Sequence, residues 1–186
     1  MCQYFFGKNL SFLNISVILM NMDELEQKIF DRALRMLSAR AHGVRELRTK
    51  LLRGKEPPPE QTVDAVVAEC RRLGFLNDRQ FARDCASELA SRGCGNVAIR
   101  FKLKTRGLAA EDVTEAMTAL AADSESEVER ALSAGKFKLK SLKKDEQRQK
   151  KREKLFRFLA GRGFSSETVR EVLRRLLSDS EIDDIL

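Results

Sequence analysis

Between Lys136 and Lys154 the chain carries ten Lys and Arg residues, among them Lys143, Lys144, Arg148, Lys150, Lys151 and Arg152, against Asp145, Glu146 and Glu153. The chemistry open to such a segment is anion binding, because guanidinium and ammonium groups contact phosphates and carboxylates. Two smaller groups share this property. Arg45, Arg48, Lys50 and Arg53 surround a first Gly turn, joined by Arg71 and Arg72, and Arg100, Lys102, Lys104 and Arg106 form their counterpart further along. The plainer reading of each group is the solvated face of a helix. The basic positions from Arg100 to Arg106 alternate and cannot all share one helical face, and with Tyr4 as the only Tyr and no Trp there is no stacking platform for single strands. Contact with nucleic acid would then be salt-sensitive and independent of sequence.

Other chemistries find less support. His42 is the only histidine and has no second histidine or nucleophile near it in sequence, so it is expected as a solvent-facing or turn residue beside Gly43. Cys2, Cys70, Cys85 and Cys94 lack the close spacing of a zinc knuckle or a redox pair and read as reduced, incidental thiols, as in the cytoplasm. The glycines do not form a phosphate loop, since no strand-turn-helix or Gly-rich Lys-Ser/Thr pattern surrounds them. Gly54, Gly107 and Gly163 are instead expected to end helices in left-handed turns. No catalytic arrangement, metal site or cofactor motif stands out, and the expectation is a protein that is not an enzyme.

The elements that must position the basic groups repeat. The phrases Arg45–Lys55, Ala98–Leu108 and Lys154–Phe164 each bring a short helix to a Gly turn or, in the first, to a Gly-Lys swap, and a second helix follows. Gly107 precedes Val113 by the same spacing as Gly163 precedes Val169, with apolar residues following each valine at helical intervals. In the first block Val63, Val67 and Cys70 repeat this pattern behind Pro57, Pro58 and Pro59. An opening helix precedes each phrase. Leu25, Ile29, Ala33, Leu34 and Leu37 form the stripe of the first, Phe81, Cys85 and Leu89 that of the second, and Val128, Ala131 and Leu132 that of the third, where Gly135 weakens the helix further on. Short repeats of this kind need neighbours to cover their apolar faces. The predicted fold is all-α, an elongated right-handed or curved array of three tandem three-helix repeats at 23–75, 76–121 and 122–178.

The chain has 186 residues and a formal charge of +7, with 34% charged and 42% apolar side chains, which suits a largely folded soluble protein that buries its core in one compact domain or shares it among several small helical units. Residues 1–22 differ from the rest. Their apolar run, Phe12 to Met20, is shorter than a bilayer span and lacks a small-residue cleavage site, so it reads as a tail, an extra docking segment or an upstream start, and no membrane is expected. Residues 179–186 form an acidic tail, read most simply as a solvated segment and otherwise as a shield for the basic surface.

Four phrases, ALRMLSARAHGVRELRTKLL, RRLGFLNDRQFARDCA, AIRFKLKTRGL and FLAGRGFSSETVREVLRRL, occur in this order, and the stretch Asp23–Leu177 resembles the RecX family of regulators of the RecA recombinase. The resemblance implies tandem three-helix repeats and a non-enzymatic protein, a monomer, that binds the RecA nucleoprotein filament and mainly limits recombinase activity and strand exchange. Arg45, Glu46, Leu47 and Lys50 match the family's first-block helix, Gly74, Leu76, Asp78, Phe81 and Ala82 its central signature, and Arg162, Gly163 and Phe164 its closing motif. Arg45, Lys50 and Arg162 are the implied surface contacts, while Leu47, Phe81 and Phe164 suit packing. The chain departs from the pattern at His42-Gly43, at Gly54-Lys55 with its triple proline, and at Lys102, where an acidic residue is usual. The alternatives are a general nucleic-acid-binding module and a protein-binding adaptor.

Overall fold

In the computed structural model the described residues are 22–123, 126–142 and 147–178, so the tail 1–21, the acidic segment 179–186 and the candidates Lys143 and Lys144 lie outside them. Among the described residues there are nine helices and no strand. They are α1 (Glu24–Ala39), α2 (Val44–Leu51), α3 (Glu60–Arg72), α4 (Asp78–Ser91), α5 (Asn96–Thr105), α6 (Ala110–Asp123), α7 (Glu127–Lys140), α8 (Arg148–Gly161) and α9 (Ser166–Ser178). None is long and apolar enough to cross a membrane. The chain divides into two compact units, 1–81 and 82–186.

In the first unit α1 begins with a capping box. Asp23 accepts from the backbone N–H of Glu26 at 2.7 Å, and Glu26 accepts from that of Asp23 at 3.1 Å, satisfying two donors that a helix start leaves open. The core of this unit joins Ile29, Phe30 and Ala33 of α1 to Leu47 and Leu51 of α2 and to Val63, Val66, Val67 and Cys70 of α3. Leu25 was expected in the buried stripe but is 42% exposed, whereas Phe30, absent from that stripe, is fully buried. The apolar face is therefore rotated toward Phe30, where the ring fills more of the space between three helices than a leucine at the helix start would.

The left-handed turn expected at Gly54 does not form. Among the described glycines, positive φ is confined to Gly74, Gly93, Gly107 and Gly163. At each of these the glycine N–H donates to the carbonyl three residues back and the next N–H to the carbonyl five back, as in Gly74 to Arg71 at 3.0 Å and Phe75 to Cys70 at 2.9 Å, closing the helix in a Schellman turn. At the end of α2 a side chain replaces that turn. Arg32 on α1 donates to the carbonyls of Lys50 at 3.2 Å, Leu51 at 3.2 Å and Arg53 at 3.0 Å, placing a cation at the negative end of the helix. With these carbonyls satisfied, the chain bends through Gly54, Lys55 and Glu56 into the prolines without a left-handed glycine.

In the second unit the third three-helix group packs α7 against α8 and α9 around Ala131, Leu155, Leu159, Phe164, Val169 and Val172. α7 continues through Gly135, which is buried inside the helix, where an added Cβ would come within 2.7 Å of Leu176 Cδ1 and 3.4 Å of Val172 Cγ1. The missing side chain lets α9 approach closely. Ser165 accepts from the Thr168 N–H at 3.1 Å and caps α9.

A candidate partner-binding surface

The starts of the two short middle helices, α2 and α5, are built alike. Gly43 and Gly95 are their N-caps, with φ −78°, ψ 159° and φ −78°, ψ 161°, and neither can offer a side-chain oxygen. The missing acceptor comes from the first residue of a later helix. Asp78 at the start of α4 accepts from the Val44 N–H at 2.8 Å, and Glu127 at the start of α7 accepts from the Asn96 N–H at 2.6 Å. The residue before each glycine faces a lysine eight positions on, His42 with Lys50 at 3.1 Å and Cys94 with Lys102 at 3.6 Å. The expectation of a solvent-facing His42 is corrected: the ring is only 4% exposed. Its Nδ1 lies 2.9 Å from the Arg40 carbonyl, so the neutral tautomer donates there and leaves Nε2 to accept from Lys50. Burial is the main cause that holds the imidazole below its usual value, and a second cation beside Lys50 would be unfavourable.

The α5 junction carries a further contact. The 162–164 turn lies against the start of α5, with the Gly95 N–H donating to the Arg162 carbonyl at 2.9 Å and the Val97 and Ala98 N–H groups to the Gly163 carbonyl at 3.1 and 3.4 Å. A Cβ on Gly95 would collide with the backbone of Gly163 and Phe164. Arg162 fastens the same junction, since its guanidinium lies 4.7 Å over the Phe158 ring and donates to the carbonyls of Arg92 and Gly93 at 3.2 and 3.3 Å. Arg130 donates to Asn96 Oδ1 at 2.8 Å, and Thr168 to Glu127 at 2.9 Å. Sequence reasoning places Arg162 on the contact surface, and the structure gives it this internal work.

The other basic candidates fall into engaged and outward-facing sets. Arg48 is bound by Asp64 at 2.6 Å and Glu60 at 2.8 Å, both on α3, and these bonds hold the Asp64 carboxyl below its usual range. Lys50 pairs with Glu46 at 3.3 Å; burial pushes the Glu46 carboxyl up, but Arg40 and then Lys50 outweigh it and hold the group low. Arg72 is taken by Glu69 at 2.6 Å, Arg106 donates to Cys85 Sγ, and Arg148 donates to the Leu177 carbonyl at 3.1 Å. Burial is the main cause raising both the Cys85 thiol and that of Cys70, the latter to about 12, so neither is a nucleophile at neutral pH. Arg45, Arg53, Arg71, Arg100, Lys104, Lys150 and Arg152 are exposed.

On α5 the outward set has an apolar partner that sequence reasoning missed. Val97 and Phe101 are 58% and 69% exposed, and they share the outer face of the helix with Arg100 and Lys104. The four positions follow helical spacing and lie off the Ile99–Leu103 face that packs inward. This offset pattern was visible in the phrase NVAIRFKLKT once Ile99 and Leu103 were assigned to the core. Phe137 on α7 and Phe156 on α8 are likewise 74% and 46% exposed.

These features define an all-helical protein of repeated three-helix domains whose middle helices carry basic outer faces. Residues 77–117 match the second three-helix domain of RecX and residues 125–173 the third. Regulatory protein RecX of Chlorobaculum tepidum is 34% identical over 160 residues, covering 85% of this chain and 94% of that protein. Its counterpart in Deinococcus radiodurans is 31% identical over 154 residues, covering 83% and 71%. The chain belongs to the RecX family. Its fold is similar to the crystal structure of RecX from Lactobacillus salivarius, with a TM-score of 0.68 at 19% identity over 81% of this chain and 96% of that one. A second crystal structure of a regulatory protein RecX gives 0.69 at 21% identity, covering 89% and 80%.

Proposed function

We propose that this protein regulates recombination by binding the RecA nucleoprotein filament and limiting recombinase activity and strand exchange. It acts as a monomer in the cytoplasm, without a cofactor and without catalysis of its own, and its working units are the three-helix groups 23–75, 76–121 and 122–178. The observation that carries the reading is the outer face of α5, where Val97 and Phe101 stand exposed beside Arg100 and Lys104. An apolar anchor ringed by cations suits a protein surface bearing acidic groups, and aromatic anchors of this kind commonly dominate an interface. Membership in a family of regulatory proteins supports a protein partner for such a face.

The test is RecA-driven strand exchange with the wild-type chain and with R100E/F101A/K104E. Loss of an anchor is worth about 2 kcal/mol or more, so half-inhibition by the variant is expected to need roughly 30-fold more protein. Unchanged inhibition, or wild-type protein that neither binds filaments nor slows exchange at near-physiological salt, overturns the reading.

A second reading, weak DNA contact independent of sequence, is favoured by the exposed Arg100, Lys104, Lys150 and Arg152. Neutralising Lys150 and Arg152 together with Lys143 and Lys144 is then expected to weaken binding to unrelated sequences alike and to flatten its salt dependence.

A further inference from the structure

Two arginines one helical turn apart on α8, Arg148 and Arg152, face a similar pair on α9, Arg170 and Arg174, across a groove of about 710 Å³ floored by Leu173 and Leu177. A second hollow of about 360 Å³ shares Arg152, Arg170 and Leu173 and reaches Phe156. Two of the acids nearby are already engaged. Glu171 binds Arg174 at 2.8 Å and Arg175 at 2.5 Å, and Glu153 accepts from Gln149 at 3.3 Å. Arg152 and Arg170 make no side-chain hydrogen bond or ion pair among the described residues, so the groove presents fixed positive charge above an apolar floor. Such a site prefers a ligand bearing both anionic and aliphatic groups over bare phosphate, because guanidinium forks bind carboxylates and phosphates alike in two-point fashion while the floor needs hydrocarbon.

We propose that this groove is a docking site for an acidic, aliphatic peptide, and that its resident is residues 179–186 of the same chain. That segment reads Asp-Ser-Glu-Ile-Asp-Asp-Ile-Leu, with carboxylates at Asp179, Glu181, Asp183 and Asp184 and aliphatic side chains at Ile182, Ile185 and Leu186. Its position in the chain suits the site. Leu177 belongs to the groove floor, and Arg148 at the start of α8 donates to the Leu177 carbonyl, so α9 ends at one end of the groove. From Arg148 to Phe156 is about 12 Å along a helix, a distance that about four extended residues cover. Enough of the segment remains to turn back, set carboxylates beside Arg152 and Arg170 and lay Ile185 and Leu186 toward Phe156. The short tether raises the effective concentration to about the millimolar range, so a weak contact suffices for occupancy. The docked segment withholds these arginines from outside polyanions. The proposal does not depend on recombinase binding.

The test compares the full chain with D179N/E181Q/D183N/D184N and with I182S/I185S/L186S, which keeps every charge. The readouts are the Nε–Hε NMR signals of Arg152 and Arg170 and the affinity for a fluorescein-labelled oligodeoxythymidine. Both variants are expected to shift the arginine signals and to bind the oligonucleotide about 5-fold more tightly, as for a groove that is free about one fifth of the time in the wild type. In an R152Q/R170Q background neither change should alter affinity further. If only the charge variant binds more tightly, long-range repulsion explains the effect and docking is refuted. Unchanged arginine signals in both variants overturn the proposal, as do signals in the wild type that move on adding the oligonucleotide with no change in affinity between wild type and the serine variant.

Discussion

Alanine at Gly95 separates the close approach of two backbones from every other role a glycine can have. Its φ of −78° is open to any residue, so the substitution brings no backbone strain. What it brings is a methyl group against the Gly163 carbonyl and the Phe164 N–H. The 162–164 turn must then move away from α5, and the bonds from Gly95 to Arg162 and from Val97 and Ala98 to Gly163 lengthen or break. Three backbone hydrogen bonds at about 1 kcal/mol each, the longest of them weaker, give an expected loss of about 2–4 kcal/mol. Two alanine variants calibrate it. At Gly54 the nearest atom to an added Cβ is 3.7 Å away and φ is ordinary, so G54A is expected within about 0.5 kcal/mol of wild type. At Gly74 nothing lies within 4 Å but φ is +79°, so G74A is expected to lose only the left-handed penalty, about 1–2 kcal/mol. Urea unfolding followed by circular dichroism measures all three. G95A as stable as G54A would refute the claim that this turn and α5 are held in contact.

Removing the borrowed caps with D78A or E127A is expected to cost about 1 kcal/mol each, read from urea midpoints, with D78N and E127Q losing less because an amide oxygen still accepts. The His42 pKa is lowered in the folded state, so the stability linked to it is fully present above the unfolded value near 6.5 and is lost as pH falls through the lower folded value. H42Q is expected to flatten the stability profile just below pH 6.5; Arg40, Glu46 and Lys50 are the charged neighbours that a parallel titration must hold intact.

The repeat pattern was legible because helical periodicity and glycine turns are local properties. Leu47 and Leu51, Ile99 and Leu103, and Leu155 and Leu159 repeat one helical interval on the middle helix of each block, and all six are fully buried. The turn at Gly54 was misread because the residue that replaces it, Arg32, acts from another helix, and no local signal marks which arginine will reach a helix end. Asn77 does cap its own helix, accepting from the Gln80 N–H at 3.0 Å, but Asp78 beside it serves α2 instead. The basic groups were found by composition, yet composition does not tell Arg48, which is tied down by two acids, from Arg100, which faces outward. Phe101 was passed over because the alternating Lys and Arg from Arg100 to Arg106 direct attention to charge, and a single aromatic among them carries no local sign of its exposure.

The acceptors at the starts of α2 and α5 come from residues 34 and 31 positions further along the chain. On a ribosome adding about 5–20 residues per second, the first of these helices waits roughly 2–7 s after emerging before its cap exists. Each newly made group of helices therefore completes the one before it, and maturation proceeds as a relay along the nascent chain. A stall just before Asp78 would leave α2 with an open end, a state that no equilibrium unfolding measurement on the finished protein would visit.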